Sequence, residues 1–202
     1  MDYFYTLADL YKINNVSTAE FFPLLGTGTN STKLYIETGI QLLALHDMDE
    51  VSGSLNLMLY LNLTWTDNVV RASGLDSDEL FYGRANYNLD SLLLPHGTIW
   101  TPPIVLLNSV DLDPEIGGMS FKPRYYLNTG VVVWKPKVKV QSTCSPDVTF
   151  YPFDIQSCSF SFVLWDHDVA YVDFVKTNDK INITLFEENG EWEFIRSSVE
   201  TK

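Results

Sequence analysis

Hydrophobic and polar residues alternate with a period of two along much of the chain. The clearest run covers residues 55–65, where every second residue is leucine or tryptophan and the intervening positions include Met58, Tyr60 and Asn62. In a β-strand a period of two places alternate side chains on opposite faces. The leucines are therefore predicted to face a core, and Tyr60 and Asn62 to face away from it.

Two further runs show the same alternation. Over residues 159–165 the pattern assigns Trp165 to the face opposite the two phenylalanines, so a large aromatic ring is presented away from the core. Over residues 134–140 three lysines alternate with proline and valine, which predicts one strand with a solvent-exposed face.

The remaining sequence is typical of an all-β fold, because short alternating runs are separated by clusters rich in Gly, Asn, Asp and Ser. Only residues 2–12 carry apolar residues at helical spacing. We expect a single domain over residues 1–202, with a short N-terminal α-helix in residues 1–14. An immunoglobulin-like β-sandwich of about ten strands is expected over residues 30–202.

Composition and charge exclude some function classes. The 202 residues have a net charge of −13, which repels phosphate backbones, so nucleic acid is not expected as a partner. No apolar run approaches the roughly 18 residues needed to span a bilayer, and the first ten residues lack the pattern of a signal peptide. The chain is expected to be soluble, as a mature fragment of an exported protein would be.

The two cysteines, Cys144 and Cys158, are spaced for neither a four-ligand zinc site nor a C-x-x-C redox pair. This favours a single disulfide that closes a short loop. Such a bridge implies an oxidising compartment, so an extracellular location is expected.

Four Asn-x-Ser/Thr sequons agree with an extracellular location. One of them, at Asn62, falls inside a predicted strand and is set aside. The candidate glycosylation sites are the three sequons predicted to lie in loops: Asn15, Asn30 and Asn182.

The segment between the cysteines resembles the loop that gives the Cys-loop receptor family its name. Thirteen residues separate the two cysteines, and they contain the aromatic-Pro-Phe-Asp element of that family. The resemblance implies that this loop couples the domain to a membrane channel domain in the full-length protein. The residues implied in coupling are Phe150, Tyr151, Pro152, Phe153 and Asp154.

Other motifs extend the resemblance over nearly the whole chain. Residues 65–67 are similar to the Trp-x-Asp motif of the family, and residues 99–108 resemble the nicotinic Trp-x-Pro-Asp-Ile-Val-Leu-Tyr-Asn sequence. The family binds ligand between two subunits, in a cage of aromatic rings that holds an organic cation; a desolvated cation–π contact is worth about 2 kcal/mol. The implied site residues are Trp165, Leu107 and Asp166 on the principal face and Tyr60, Asn62, Val133 and Lys135 on the complementary face.

Several positions depart from the nicotinic pattern. Leu107 stands where those receptors have a tyrosine, Pro103 replaces an aspartate and Tyr60 replaces a tryptophan. Lys135 places a like charge near any cationic ligand. We therefore expect a larger, partly apolar or zwitterionic amphiphilic amine to suit the site better than acetylcholine does.

The resemblance also implies a pentamer of identical subunits, because two different faces of one subunit meet heterologously and close a ring. It further implies that loop C and a last strand would follow Val199, and neither is in the sequence. Two alternatives stay open: a secreted acetylcholine-binding protein without a channel, and a sandwich lectin or adhesion module. The apolar tip of the disulfide loop favours the receptor, because a secreted binder has no membrane domain to contact.

Catalysis is not expected, because the sequence contains no nucleophile elbow, phosphate-binding glycine loop or HExxH motif. Asp166, His167 and Asp168 are interpreted as a solvated turn, and neither a metal nor a cofactor is expected. The acidic residues Asp179, Glu187 and Glu188 resemble a region called loop F in the family; weak calcium binding there is a less favoured interpretation than a solvated loop.

Overall fold

The computed structural model describes Pro23 and residues 33–67, 90–110, 115–117, 120–165, 167–188 and 190–201. The helix predicted over residues 1–14 lies outside these ranges. Within them the chain forms ten β-strands: β1 (Leu34–Asp49), β2 (Ser54–Thr66), β3 (Ser91–Leu93), β4 (Ile104–Leu106), β5 (Glu115–Ile116), β6 (Arg124–Tyr126), β7 (Val131–Trp134), β8 (Lys137–Thr143), β9 (Phe162–Leu164) and β10 (Val172–Lys176).

Seven strands form one sheet in the order β10-β1-β2-β7-β6-β3, with β8 also paired to β2. Strand β2 is the centre of this sheet and matches the predicted alternation. Its inward residues Leu59, Leu61, Leu63 and Trp65 are at most 3% exposed, whereas the residues between them are half-buried. The sequence prediction for this strand is confirmed.

A tight turn joins β1 to β2. The Asp49 carboxylate accepts hydrogen bonds from the backbone N–H groups of Val51, at 2.8 Å, and Ser52, at 3.0 Å. Hydrogen bonds from the Ser52 side chain and from these two amides lower the pKa of Asp49. The turn ends at Gly53, whose φ of 64° is the left-handed conformation that favours glycine.

The prediction of one strand over residues 134–140 is wrong. The structure has two strands, β7 and β8, which are interrupted at Lys135 and Pro136. Both pair antiparallel with β2, and the register does not change across the break. Proline has no N–H to contribute to a ladder, but the Pro136 carbonyl still accepts a hydrogen bond from Leu61 N at 3.1 Å.

The second sheet consists of β4 between β5 and β9, and all its pairs are antiparallel. The inward residues Ile104 and Leu106 join the same hydrophobic core as the leucines of β2. Two sheets packed on one core form a β-sandwich, which confirms the predicted fold class.

Aromatic residues fill much of this core. The rings of Trp65 and Trp100 meet edge to face with centroids 5.8 Å apart. Trp134 is buried, and its Nε1 donates to the Phe121 carbonyl at 2.8 Å. Tyr125 is also buried, and its pKa is raised by burial and, to a smaller extent, by the nearby charge of Asp67.

The segment after β10 continues along β1. The Leu42 N–H donates to the Asn182 carbonyl and the Glu187 N–H to the Leu43 carbonyl, both at 2.8 Å. The C-terminal residues return beside it, with the Val199 N–H donating to the Asp179 carbonyl at 2.8 Å. None of the residues that the structure describes belongs to a helix of the length and apolarity required to cross a bilayer.

Candidate functional site

The residues predicted for the complementary face lie together on the outward face of the seven-stranded sheet. Tyr60 in β2 is directly opposite Lys137 in β8. Because the same register continues across the break, Asn62 falls opposite Lys135. Val133 lies two pairs further along, opposite Thr64. Residues directly opposite in an antiparallel pair share a face. Tyr60, Asn62, Val133 and Lys135 therefore form one surface, and Lys137 belongs to it.

Strand β1 borders this surface on the other side of β2. Gln41 lies opposite Tyr60 and Gly39 opposite Asn62. The Gln41 side-chain amide donates to Thr184 Oγ1 at 3.1 Å, which fixes the neighbour of the Tyr60 ring. A Cβ atom at Gly39 would lie 2.9 Å from Thr177 Oγ1, so a larger residue here would displace the Thr177 side chain.

Of the residues predicted for the principal face, Leu107 and Trp165 lie at the two ends of the β4–β9 ladder. The Leu107 N–H donates to the Ser161 carbonyl and the Trp165 N–H to the Pro103 carbonyl, both at 2.8 Å. Leu107 is 66% exposed and Trp165 is 56% exposed, and the strand alternation puts both side chains on the outward face.

The outward pair Val105 and Val163 separates Leu107 from Trp165 along this ladder. The two predicted residues therefore share a face without being cross-strand neighbours. A ligand that contacts both must extend over the valine pair, which is an apolar surface.

Side-chain contacts are found near both ends of this ladder. The Asn108 side chain donates to the Ser159 carbonyl at 2.8 Å and accepts from the Ser161 N–H at 3.0 Å, which ties the residue after Leu107 to the segment entering β9. Beyond Trp165, the His167 ring packs against Trp100 with centroids 5.7 Å apart. Asp166 lies outside the described residues.

The two groups of predicted residues lie on different sheets. The complementary group is on the outward face of the seven-stranded sheet, and the principal group is on the outward face of the three-stranded sheet. The inward faces of both sheets share one core, so the outward faces point away from each other. A cage made from both groups therefore requires two copies of the chain.

The predicted disulfide between Cys144 and Cys158 is present. Inside its loop, Asp147 and Gln156 form two reciprocal hydrogen bonds: the Asp147 N–H donates to Gln156 Oε1 at 2.9 Å, and Gln156 Nε2 donates to the Asp147 carbonyl at 3.1 Å. Gln156 Nε2 also donates to the Asp154 carboxylate. Hydrogen bonds from the Thr149 side chain and backbone lower the pKa of Asp147.

The tip of the disulfide loop presents apolar side chains to solvent. Phe150 is 73% exposed, Tyr151 71% and Phe153 88%. Val51 in the β1–β2 turn is also fully exposed. This turn lies beside the start of the disulfide loop, since the Cys144 N–H donates to the Gly53 carbonyl at 2.7 Å. Apolar surface of this kind is characteristic of a contact region.

Other predicted sites are placed as follows. Asn182 is exposed, and its side-chain oxygen accepts from the Thr184 N–H at 2.8 Å and hydroxyl at 2.7 Å; glycosylation there stays a prediction. Asn15 and Asn30 lie outside the described residues. In the part of the chain that the structure describes, no group of three or more His, Cys, Asp or Glu side chains is arranged to hold a metal ion.

Sequence reasoning did not include Lys137 in the site. The alternation of the three lysines is visible in the sequence, but it does not reveal which lysine lies opposite Tyr60. That assignment depends on the pairing register of β2 and β8, which only the structure supplies.

The chain is similar to known proteins in sequence and in fold. The family model described as neurotransmitter-gated ion-channel ligand binding domain matches residues 24–202. The chain is 32% identical over 168 residues to the human neuronal acetylcholine receptor subunit beta-3, which covers 83% of this chain and 34% of that subunit. It is also 32% identical over 165 residues to the human alpha-6 subunit, covering 82% and 31%. The chain thus spans about a third of the length of these relatives.

A solved structure supports the fold. The crystal structure of AChBP from Bulinus truncatus matches with a TM-score of 0.64 and 18% sequence identity, covering 89% of this chain and 79% of that chain. At this identity the likeness shows the fold alone.

Proposed function

Since the chain belongs to the neurotransmitter-gated ion-channel ligand-binding domain family, we propose that it binds a small organic amine or amphiphilic ligand between two neighbouring subunits. In this proposal Trp165, Leu107 and Asp166 of one subunit form the principal face. Tyr60, Asn62, Val133 and Lys135 of the next subunit form the complementary face. The chain acts by binding, without catalysis.

One observation carries the proposal: each of the two outward faces presents an aromatic ring that the core does not need. Trp165 is more than half exposed on the three-stranded sheet, and Tyr60 is half-buried on the other sheet. When two faces of this kind meet, water is removed from both rings, and an amine between them gains about 2 kcal/mol for each cation–π contact. Leu107, Val105 and Val163 supply apolar area for the rest of the ligand.

The assembly we propose is a closed ring of five identical subunits outside the cell. Binding between two different faces is heterologous, and a heterologous contact either closes a ring or grows into a filament. The disulfide supports an extracellular location, because such bridges persist in oxidising compartments.

We also propose that the domain transmits ligand binding to a channel elsewhere in a longer protein. The exposed tip of Phe150, Tyr151 and Phe153 supports this role, because a docking surface for a membrane domain must be apolar before it is covered. A secreted binder similar to AChBP is the less favoured alternative, since nothing in that role would keep these side chains apolar.

The test is to measure the equilibrium binding of acetylcholine and tetramethylammonium to the purified chain by titration calorimetry. Replacing Trp165 with leucine should weaken binding roughly tenfold or more, because the desolvated ring face is lost. A matched control is Tyr171→Leu, which removes another exposed ring a few residues away. Equal affinity for the wild type and Trp165→Leu would contradict the proposed site, and sedimentation as a monomer at high concentration would contradict the ring.

A further inference from the structure

We infer that Lys135 and Lys137 form a carboxylate subsite beside Tyr60, so that the ligand is a zwitterion joining an amine to a carboxylate. This inference rests on the proposed function, because it names the ligand class of the same site. It is carried by the cross-strand register of β2 with β7 and β8.

The register places two ammonium groups next to the Tyr60 ring. Lys137 is directly opposite Tyr60, and Lys135 lies opposite Asn62, the next outward position of β2. Directly opposite residues have Cβ atoms about 5 Å apart, and outward positions along one strand are about 7 Å apart. Both lysines are exposed, and their flexible side chains reach a ligand group next to the Tyr60 ring.

These lysines have no counter-ion in the part of the chain that the structure describes. The ion pairs found there join Lys33 to Asp173 and Lys176 to Asp179. The outward neighbours on β2 are uncharged, and so are Gln41 and Gly39 opposite them on β1. A row of like charges at this spacing is mutually repulsive.

The row is more unusual because the chain as a whole is acidic, with 26 Asp and Glu residues against 13 Lys and Arg. A ligand whose only charge is an ammonium group would be attracted by acidic side chains at this position, not by lysines. A carboxylate on the ligand removes the conflict, since it pairs with Lys135 and Lys137 while the amine end contacts the rings of Tyr60 and Trp165.

Two ligands that differ by a carboxylate test this inference. O-acetylcarnitine is acetylcholine with an added carboxymethyl group, so both carry the same trimethylammonium and acetyl groups. Calorimetry on the assembled chain should show acetylcarnitine binding at least tenfold more tightly than acetylcholine. Lys137→Gln and Lys135→Gln should each weaken acetylcarnitine about tenfold, as expected for losing a charge-assisted hydrogen bond, and strengthen acetylcholine binding, because a like charge near its ammonium is removed.

Lys139→Gln is the matched control. Lys139 continues the same row but lies opposite Met58, on the side of Tyr60 away from Asn62 and Val133, so its replacement removes the same charge from outside the proposed complementary face. Its effect on acetylcarnitine should be less than threefold, and raising the salt concentration should weaken acetylcarnitine more than acetylcholine.

Three results would overturn the inference, and they are distinct from failure of the proposed function. The first is equal affinity for the two ligands. The second is an equal loss of acetylcarnitine binding in all three lysine variants, which would indicate that the ligand responds to the total positive charge of the row and not to a local subsite. The third is dissociation of the assembly by Lys135→Gln or Lys137→Gln in sedimentation, which would mean that these lysines bind carboxylates of a neighbouring copy. If neither ligand binds at all, the proposed function itself is contradicted.

Discussion

At the scale of single residues, the fit of the β1–β2 turn against the disulfide depends on one missing side chain. Gly53 has a φ of 64°, and a Cβ atom there would lie 2.7 Å from the Cys144 carbonyl oxygen. Gly97 has a similar φ of 76°, but no heavy atom lies within 4 Å of its Cβ position. The two glycines therefore separate the cost of the backbone conformation from the cost of crowding.

We predict that Gly97→Ala lowers the free energy of unfolding by about 1 kcal/mol, the usual cost of a left-handed conformation for alanine. Gly53→Ala should lower it by roughly 1 kcal/mol more, because the turn must move away from Cys144. Urea titration of the two variants and the wild type measures both values. Equal losses in the two variants would show that the turn moves away from Cys144 without lowering the free energy of unfolding further.

At the scale of elements, alternation alone reveals some strands and not others. Strand β2 was readable because one strict period of two runs through all of it. Strand β1 is less regular, since its pairing with β2 shifts register between Leu42 and Ala44 and again between Leu45 and Asp47. Each bulge exchanges the two faces of the strand, so no single alternation describes its sequence.

The disulfide loop is an element whose shape depends on Gln156 as well as on the covalent bond. We predict that Gln156→Ala speeds hydrogen exchange of the Asp147 amide at least tenfold, because that N–H loses its acceptor. The free energy of unfolding should fall by about 1 kcal/mol. Exchange followed by NMR or mass spectrometry measures the first effect.

Gln41→Ala is the control for this element. Gln41 also makes a side-chain hydrogen bond, to Thr184, but it lies on β1. It should leave exchange of the Asp147 amide unchanged. Unchanged exchange in Gln156→Ala as well would mean that the disulfide alone holds the loop.

At the scale of the whole molecule, the candidate residues and their division between two faces were inferred from sequence and family resemblance, but the cross-strand neighbours of each residue were not. Tyr60 and Trp165 were assigned to outward faces by alternation, which depends only on neighbours along the chain. That Tyr60 lies beside Lys137, and that Trp165 lies on another sheet, follows from pairing between distant segments. Long-range register is set by the fold as a whole, and therefore the neighbours of each candidate residue became clear only from the structure.

One end of the molecule exposes the aromatic side chains of the disulfide loop, and the proposed docking to a membrane domain depends on them. We predict that the double variant Phe150→Ser/Phe153→Ser keeps the free energy of unfolding within about 0.5 kcal/mol of the wild type, because both rings are largely exposed. The same variant should bind a hydrophobic dye less and self-associate less, as measured by dye fluorescence and sedimentation, because a continuous apolar patch has been removed.

The control for this prediction is Leu185→Ser/Ile195→Ser, which removes two apolar side chains of comparable exposure from a different part of the chain. Single exposed apolar residues are common on protein surfaces, so this control should change dye binding little. An equal fall in dye binding in both variants would mean that the loop tip binds apolar molecules no better than the rest of the surface does. The proposed docking to a membrane domain would then lose its physical basis, and the role of a secreted binder would be favoured instead.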